Sequence, residues 1–285
     1  MKKIEMPLVS ILTPTWNRAK YLHKTWAGLT SQKYSNIEWV IGNDGSTDNT
    51  TEVCLGFKKK SQFPVVILDC NVRVGKARMD NELMKTAQGD FWLWCDSDDY
   101  LLPDCIAQLV NVWKSMERKD QERTVGLTAL CSTKDGVLQS NKPGRKGIFE
   151  TTWRELDQVY RANTDMLIFF NADKVRGCSF NEVDFMVSEG SLWHKFFDMR
   201  TLFIPEVMKI MYRGADNRIS FSGKMEYCRG KAYSIAESEE YTSEDYCYGS
   251  KYIWRVICFH RYCIHGDIQL FEAKKLWASR LPLLA

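Results

Sequence analysis

The stretch that decides the reading is FWLWCDSDDYLL, residues 91–102. Residues 91–95 form a short apolar run that begins after Gly89-Asp90 and leads straight into Asp96, Asp98 and Asp99. An apolar run of this length bounded by polar residues predicts a buried strand. The acids therefore sit where a buried strand reaches a surface. Three carboxylates within four positions repel one another, which leaves two readings open. They can offer hard oxygen ligands to Mg²⁺ or Mn²⁺. Alternatively, they form an acidic loop leading into a helix, with Pro103 in its first turn and Asp99 or Asp104 near its N-terminus.

Working outward, residues 8–13 (LVSILT) predict a first strand ending at Pro14, and Asn17 is placed to cap the helix that follows. Leu22, Trp26 and Leu29 recur at helical spacing and should face a sheet. Residues 37–42 predict a second strand, ending in the turn-forming run Asn43-Asp-Gly-Ser-Thr-Asp48. Asp48 is placed to cap a helix carrying Val53, Cys54 and Phe57. Asp44 reads either as an Asx-turn residue or as a ligand-facing acid. Residues 65–68 predict a third strand. After Gly75 a helix carries Met79, Leu83 and Ala87 on one face, with Lys76 and Arg78 in its first turn. Cations there oppose the helix dipole, and a phosphate bound beside Lys76 would remove that penalty.

Strand and helix alternate through Val112, which predicts an α/β protein with a mostly parallel central sheet flanked by helices. Loops at the carboxyl ends of such strands, here carrying Asn17, Asp44 and the acids from Asp96, can converge on one crevice. That convergence favours the metal reading. GxGxxG and GxxxxGK[ST] are absent, which argues against a dinucleotide dehydrogenase or a P-loop enzyme.

Composition narrows the classes further. The 285 residues are 45% hydrophobic and 26% charged, as in ordinary globular proteins, and the net charge of +3 gives no case for nucleic acid. Ten cysteines are scattered without a CxxC pair, which favours a reducing cytoplasm over a disulfide framework. The four histidines form no zinc pattern. No apolar run is long enough to span a bilayer, and the N-terminal residues read as a strand, not a signal peptide.

Four stretches together resemble one family. Pro7-Leu-Val-Ser-Ile-Leu-Thr-Pro-Thr-Trp-Asn17 resembles an opening strand and turn, and Asn43-Asp-Gly-Ser-Thr-Asp48 an acidic loop usually written with two aspartates before the glycine. Gly75-Lys-Ala-Arg-Met-Asp-Asn81 resembles a GKxxxxN motif, and Asp96-Ser-Asp-Asp99 a DxD motif. In this order, over about the first 110 residues, they resemble the family 2 glycosyltransferases of GT-A fold that build bacterial capsule and cell-surface polysaccharides.

The resemblance implies a metal-dependent inverting transfer of a hexosyl or N-acetylhexosyl group. The donor would be a nucleotide sugar, a UDP-sugar, and the acceptor a hydroxyl of a saccharide or lipid-linked saccharide. It places Thr13 and Asp44 near the base, Asn17 and Lys76 near the donor, and Asp96 at the ribose or metal. Asp98 would hold Mn²⁺ or Mg²⁺ against the diphosphate. In the second half, Glu189 matches the family's general base, with Gly190 standing where an aspartate is common, and Glu182 and Asp184 compete for the role. Arg213, with Arg218, matches a loop over the donor phosphates.

The expected organisation is a nucleotide-sugar half at residues 1–110, an acceptor half at 111–222 and a helical extension at 223–285. Within the acceptor half, residues 125–131 and 166–170 predict strands, as do 201–204 and 207–212 on either side of Pro205. Residues 133–147 predict an exposed, basic loop. From residue 251 onward six Lys or Arg face two acids among aromatic residues. Such a segment can lie on the inner face of an anionic membrane, pack on the catalytic domain or form a homodimer contact. The rival functions are a nucleotidyltransferase, disfavoured by the lack of a glycine-rich basic loop near residue 15, and a sugar-nucleotide-binding scaffold without turnover.

Overall fold

The structure is a computed structural model that describes residues 6–162, 165–182, 190–212, 214, 228–233, 250–269, 271–273 and 275. The chain divides into two compact units. One comprises residues 1–178 and 198–215, the other residues 179–197 and 216–285.

The first unit is built on one sheet. Its opening strands β1 (Val9–Thr15), β2 (Ile37–Asn43), β3 (Val65–Asp69) and β4 (Phe91–Trp94) are all parallel, in the order β3-β2-β1-β4. Each lies within a residue or two of its sequence-predicted position. β1 and β2 are buried almost without interruption, as befits strands covered on both faces.

The covering helices are α1 (Leu22–Thr30), α2 (Thr50–Lys60) and α3 (Lys76–Thr86). Side chains alternate across β2, so Trp39 and Gly42 face opposite ways. On Trp39's side, Trp26 of α1 stacks on Phe57 of α2 at 4.9 Å between ring centroids and lies 6.0 Å from Trp39. On the other side, α3 approaches so closely that a Cβ at Gly42 would collide with the Met79 sulfur. One face is thus filled by aromatic rings and the other by a missing side chain.

Beyond β4 the sheet becomes mixed. After β5 (Tyr100–Leu101), the helices α4 (Cys105–Ser115) and α5 (Arg118–Arg123) lead to β6 (Thr124–Thr133). β7 (Phe149–Thr152), α6 (Trp153–Gln158), β8 (Met166–Asn171), α7 (Ala172–Val175) and β9 (Arg200–Met211) follow. The order continues β4-β8-β6-β9-β5, with β7 also on β9. β8 is antiparallel to both β4 and β6, and β5 and β7 are antiparallel to β9, while β6 and β9 are parallel, so only the first half is parallel throughout. Antiparallel neighbours need no crossover helix, and the strand-helix alternation that predicted parallel pairing stops after α4.

The two strands expected around Pro205 are one strand, β9. Its register on β6 jumps from Ile204 to Val207, leaving Pro205 and Glu206 as a bulge. Proline lacks the N–H that a ladder needs, so the bulge absorbs it without ending the strand. β5 and β7 were not anticipated. Each is short and gains its pairing from the twelve-residue β9.

In the second unit, α8 (Gly190–Trp193) runs into a 3₁₀ turn at His194–Phe196, and Phe180 meets Trp193 edge to face. A longer helix covers Ser250–His265, in keeping with the expected helical extension. Among the described residues no helix is long and apolar enough to cross a membrane.

Candidate active site

The site residues of the first unit follow the carboxyl ends of β1, β2, β3 and β4, where open α/β sheets bind ligands. The acidic turn after β4 is fixed from three sides. Thr13 of β1 donates to the carbonyl of Cys95 at 2.8 Å and accepts from the Trp39 indole at 2.9 Å. Thr25 of α1 contacts the carbonyls of Asp96 and Asp99, both at 3.0 Å. Lys209 of β9 reaches the Asp99 carboxylate at 2.9 Å.

The three acids consequently divide. Asp99 and Lys209 are buried together, 2% and 7% exposed, while Asp96 and Asp98 remain half-buried at the surface. Burial pushes the Asp99 carboxyl up to about 6, against the pull of Lys209. Burial alone would lower the Lys209 ammonium; the Asp99 carboxylate beside it more than reverses that and raises it. Asp99 does not cap α4, and Asp104, at that helix's N-cap position, makes no capping bond. Its carboxylate pairs with Lys33 at 2.8 Å. Thr13, fully buried, has its hydroxyl occupied inside the sheet and acts here as a strut between strands.

The loop after β2 is equally constrained. The Asp44 carboxylate, 5% exposed, accepts from the backbone N–H groups of Val74 at 2.6 Å and Gly75 at 3.1 Å, so it fastens the approach to α3. Gly45 adopts φ +63°, and a Cβ there would strike the backbone at Val72 and Arg73. Arg73 lies 3.8 Å over the Trp16 ring and brings its Nε within 3.8 Å of Asp44. Sequence reading singled out neither Trp16 nor Arg73, because their meeting joins the ends of β1 and β3.

Asn17 does not cap α1, whose N-cap is Tyr21 with no side-chain bond. It sits at φ +52°, accepts from the Thr47 N–H at 2.8 Å and donates its own N–H to Ser46 at 2.8 Å, tying the first two loops together. Asp48 does hold the start of α2, through Thr50. Asn43, fully buried, donates to Asp69 at 2.7 Å and to Thr51 at 2.9 Å. Lys76, in the first turn of α3, pairs at 2.9 Å with buried Asp80, which also accepts from the Trp94 indole at 3.2 Å. An internal carboxylate thus offsets the cation that was read as a phosphate contact.

Glu189, Asp184, Arg213 and Arg218 lie outside the described residues. Among the described residues no group of three or more His, Cys, Asp or Glu is gathered as a metal cage. Asp96 and Asp98 still suit Mg²⁺ or Mn²⁺, because such ions are held by one or two carboxylates with substrate phosphates and water completing the shell. The nine cysteines described are all free.

Comparison with known proteins agrees with the motif order. Residues 10–121 match the family described as glycosyl transferase family 2. An uncharacterized glycosyltransferase of Rickettsia prowazekii is 31% identical over 227 residues, covering 74% of this chain and 65% of its own length. The chain spans 34% and 19% of two other rickettsial glycosyltransferases that it matches.

Among solved structures, residues 1–349 of Staphylococcus aureus TarS in complex with UDP-GlcNAc superpose with a TM-score of 0.65 at 16% identity. The match covers 96% of this chain and 79% of that one. The mannosyltransferase PcManGT from Pyrobaculum calidifontis, in complex with GDP-Man and Mn²⁺, gives 0.60 at 16% identity, covering 97% and 80%. The fold is that of the GT-A glycosyltransferases.

Proposed function

We propose that this chain is a metal-dependent, inverting glycosyltransferase. It would move a hexosyl or N-acetylhexosyl group from a UDP-sugar to a hydroxyl of a saccharide or lipid-linked saccharide in surface polysaccharide synthesis. The observation that carries the reading is the division of the acidic turn. Asp99 is neutralised inside by Lys209, while Asp96 and Asp98 stand half-exposed on a rigid turn at the sheet's carboxyl edge. The UDP-GlcNAc of TarS and the GDP-Man and Mn²⁺ of PcManGT support a nucleotide sugar and a divalent ion of this kind.

In this reading Asp98 and Asp96 hold Mn²⁺ or Mg²⁺. The ion, when bound, neutralises the charge that develops on the leaving diphosphate. The base would lie against the stacked pair of Arg73 and Trp16, with Asp44 beside it. Asn17 holds the first two loops in register around the donor, Arg213 would add positive charge near the phosphates, and Lys76 would lie nearby with its charge shared with Asp80. The acceptor oxygen attacks the anomeric carbon as the bond to the diphosphate oxygen breaks, and Glu189 takes the acceptor's proton. A lipid-linked acceptor would place the enzyme in the cytoplasm, at the inner face of the membrane, with the segment from residue 251 as one contact.

The test is a screen of nucleotide sugars for Mn²⁺- or Mg²⁺-dependent release of nucleoside diphosphate. With the active donor, Asp98→Asn should lower kcat by about 10²–10³-fold, the usual effect of losing one group that stabilises a developing charge. Unchanged metal-dependent turnover in that variant rejects the site. Glu189→Gln should abolish transfer while donor binding persists, and near-normal kcat would remove Glu189 as the base.

A further inference from the structure

Asp80 is a carboxylate buried within α3, 1% exposed. Burying a carboxylate is costly unless it is paired. Its two oxygens have different partners. Oδ2 pairs with the Lys76 ammonium one turn earlier at 2.9 Å, and Oδ1 accepts from the Trp94 indole at 3.2 Å. Trp94 ends β4, two residues before Asp96. One side chain therefore ties the start of α3 to the strand that leads into the acidic turn. Lys76 remains partly exposed, and α3 has no acid in its first turn. The neighbouring cations make contacts of their own. Arg78 donates to the Val74 carbonyl at 3.2 Å, and Arg73 lies against Trp16 and near Asp44.

An ammonium has three donors, so Lys76 can hold Asp80 and still face an anion. The carboxylate takes back part of its attraction. That loss does not fall equally on donor and product. The diphosphate of a nucleotide sugar carries about two negative charges, and the nucleoside diphosphate released from it about three at neutral pH. Two are matched by a divalent ion in either case, so Lys76 acts on the third. A lysine without its carboxylate would hold the product more tightly than the donor.

On the reading that Lys76 lies near the donor phosphates, we propose that Asp80 is a positioning residue that acts through Lys76 to loosen the hold on the released nucleoside diphosphate. Its carboxylate fixes the ammonium beside the end of β4 and tempers its charge, so that donor and product are held with more equal strength.

The experiment is calorimetric titration of the full chain with UDP and UDP-GlcNAc, and with GDP and GDP-mannose, at saturating Mn²⁺. Asp80→Asn keeps an oxygen for the Trp94 indole and removes the charge. It should bind the nucleoside diphosphate about three- to tenfold more tightly than the wild type, and the nucleotide sugar by a smaller factor. Damage to the fold weakens binding, so a merely structural role does not produce tightening. Asp80→Ser is the second variant, and either one that keeps the wild-type melting temperature suffices. Lys76→Met should weaken binding of the nucleoside diphosphate, and adding Asp80→Asn to it should change the affinity by less than about twofold. Unchanged or weaker product binding by a folded Asp80 variant overturns the proposal. Equal tightening of product and nucleotide sugar overturns it too, as does tightening that persists in the Lys76→Met background. If Lys76→Met binds like the wild type, the phosphate reading of Lys76 fails and the proposal falls with it. Absence of binding of every nucleotide to the wild type removes the donor site itself.

Discussion

Asn43 shows how one residue can depart from a family pattern for a local reason. Its amide nitrogen donates to the Asp69 carboxylate at 2.7 Å in a fully buried position. An aspartate there would set two carboxylates against each other where only a donor fits. Asn43→Asp should therefore lower stability by about 1–3 kcal/mol in urea unfolding, the cost of an unsatisfied buried group. The double change Asn43→Asp/Asp69→Asn should restore most of it, because a donor and an acceptor again face each other. Failure of the second change to rescue would mean that Asp69 is not the reason for Asn43. Asp44, its neighbour, was legible as a site acid. Its use as an acceptor for Val74 and Gly75 was not, since 30 residues separate the partners.

At the scale of elements, close backbone approach fixes how β6 and β8 pair. Gly126 lies opposite Phe170 in the antiparallel ladder, and a Cβ on it would collide with the Phe169 carbonyl oxygen. Backbone cannot swing aside as a side chain can. Gly126→Ala should cost about 1–3 kcal/mol, the range for overpacking, seen as a lower midpoint in thermal unfolding. The starts of β9 and α6 are tied by partly buried charges instead. Hydrogen bonds from Arg200 hold Asp120 below the usual carboxylate range, and those from Arg154 do the same for Asp198. A depressed folded-state pKa means that the unfolded chain binds protons first. These contacts therefore contribute stability above about pH 4 that is lost as pH falls through the depressed values. Asp120→Asn should flatten that acid limb in a series of unfolding curves, and an unchanged slope would remove the contact from the account.

For the molecule as a whole, the Asp99–Lys209 pair joins the acidic turn after β4 to β9, in the second half of the sheet. Both side chains are buried, so removing one leaves the other uncompensated. Lys209→Met should cost about 3–5 kcal/mol, while Lys209→Met/Asp99→Leu should recover much of that, as apolar replacements of buried pairs do. If Lys209→Met unfolds like the wild type, the pair does not anchor the turn. The signal for Lys209 was present as a lysine within the otherwise apolar run from Val207 to Met211, but its partner lies 110 positions earlier.

The sequence by itself determined the parallel strands β1 to β4, their covering helices and the acids at their ends. Period, capping chemistry and motif order are local properties, and they were enough to point to family 2. Tertiary structure decided what long-range pairing controls. It made the second half of the sheet mixed and joined the strands on either side of Pro205 into one. It also turned Asn17 and Thr13 into struts and set Arg73 over Trp16. Above all it separated Asp99 from Asp96 and Asp98, because only a packed β9 could bring a buried cation to one acid of three.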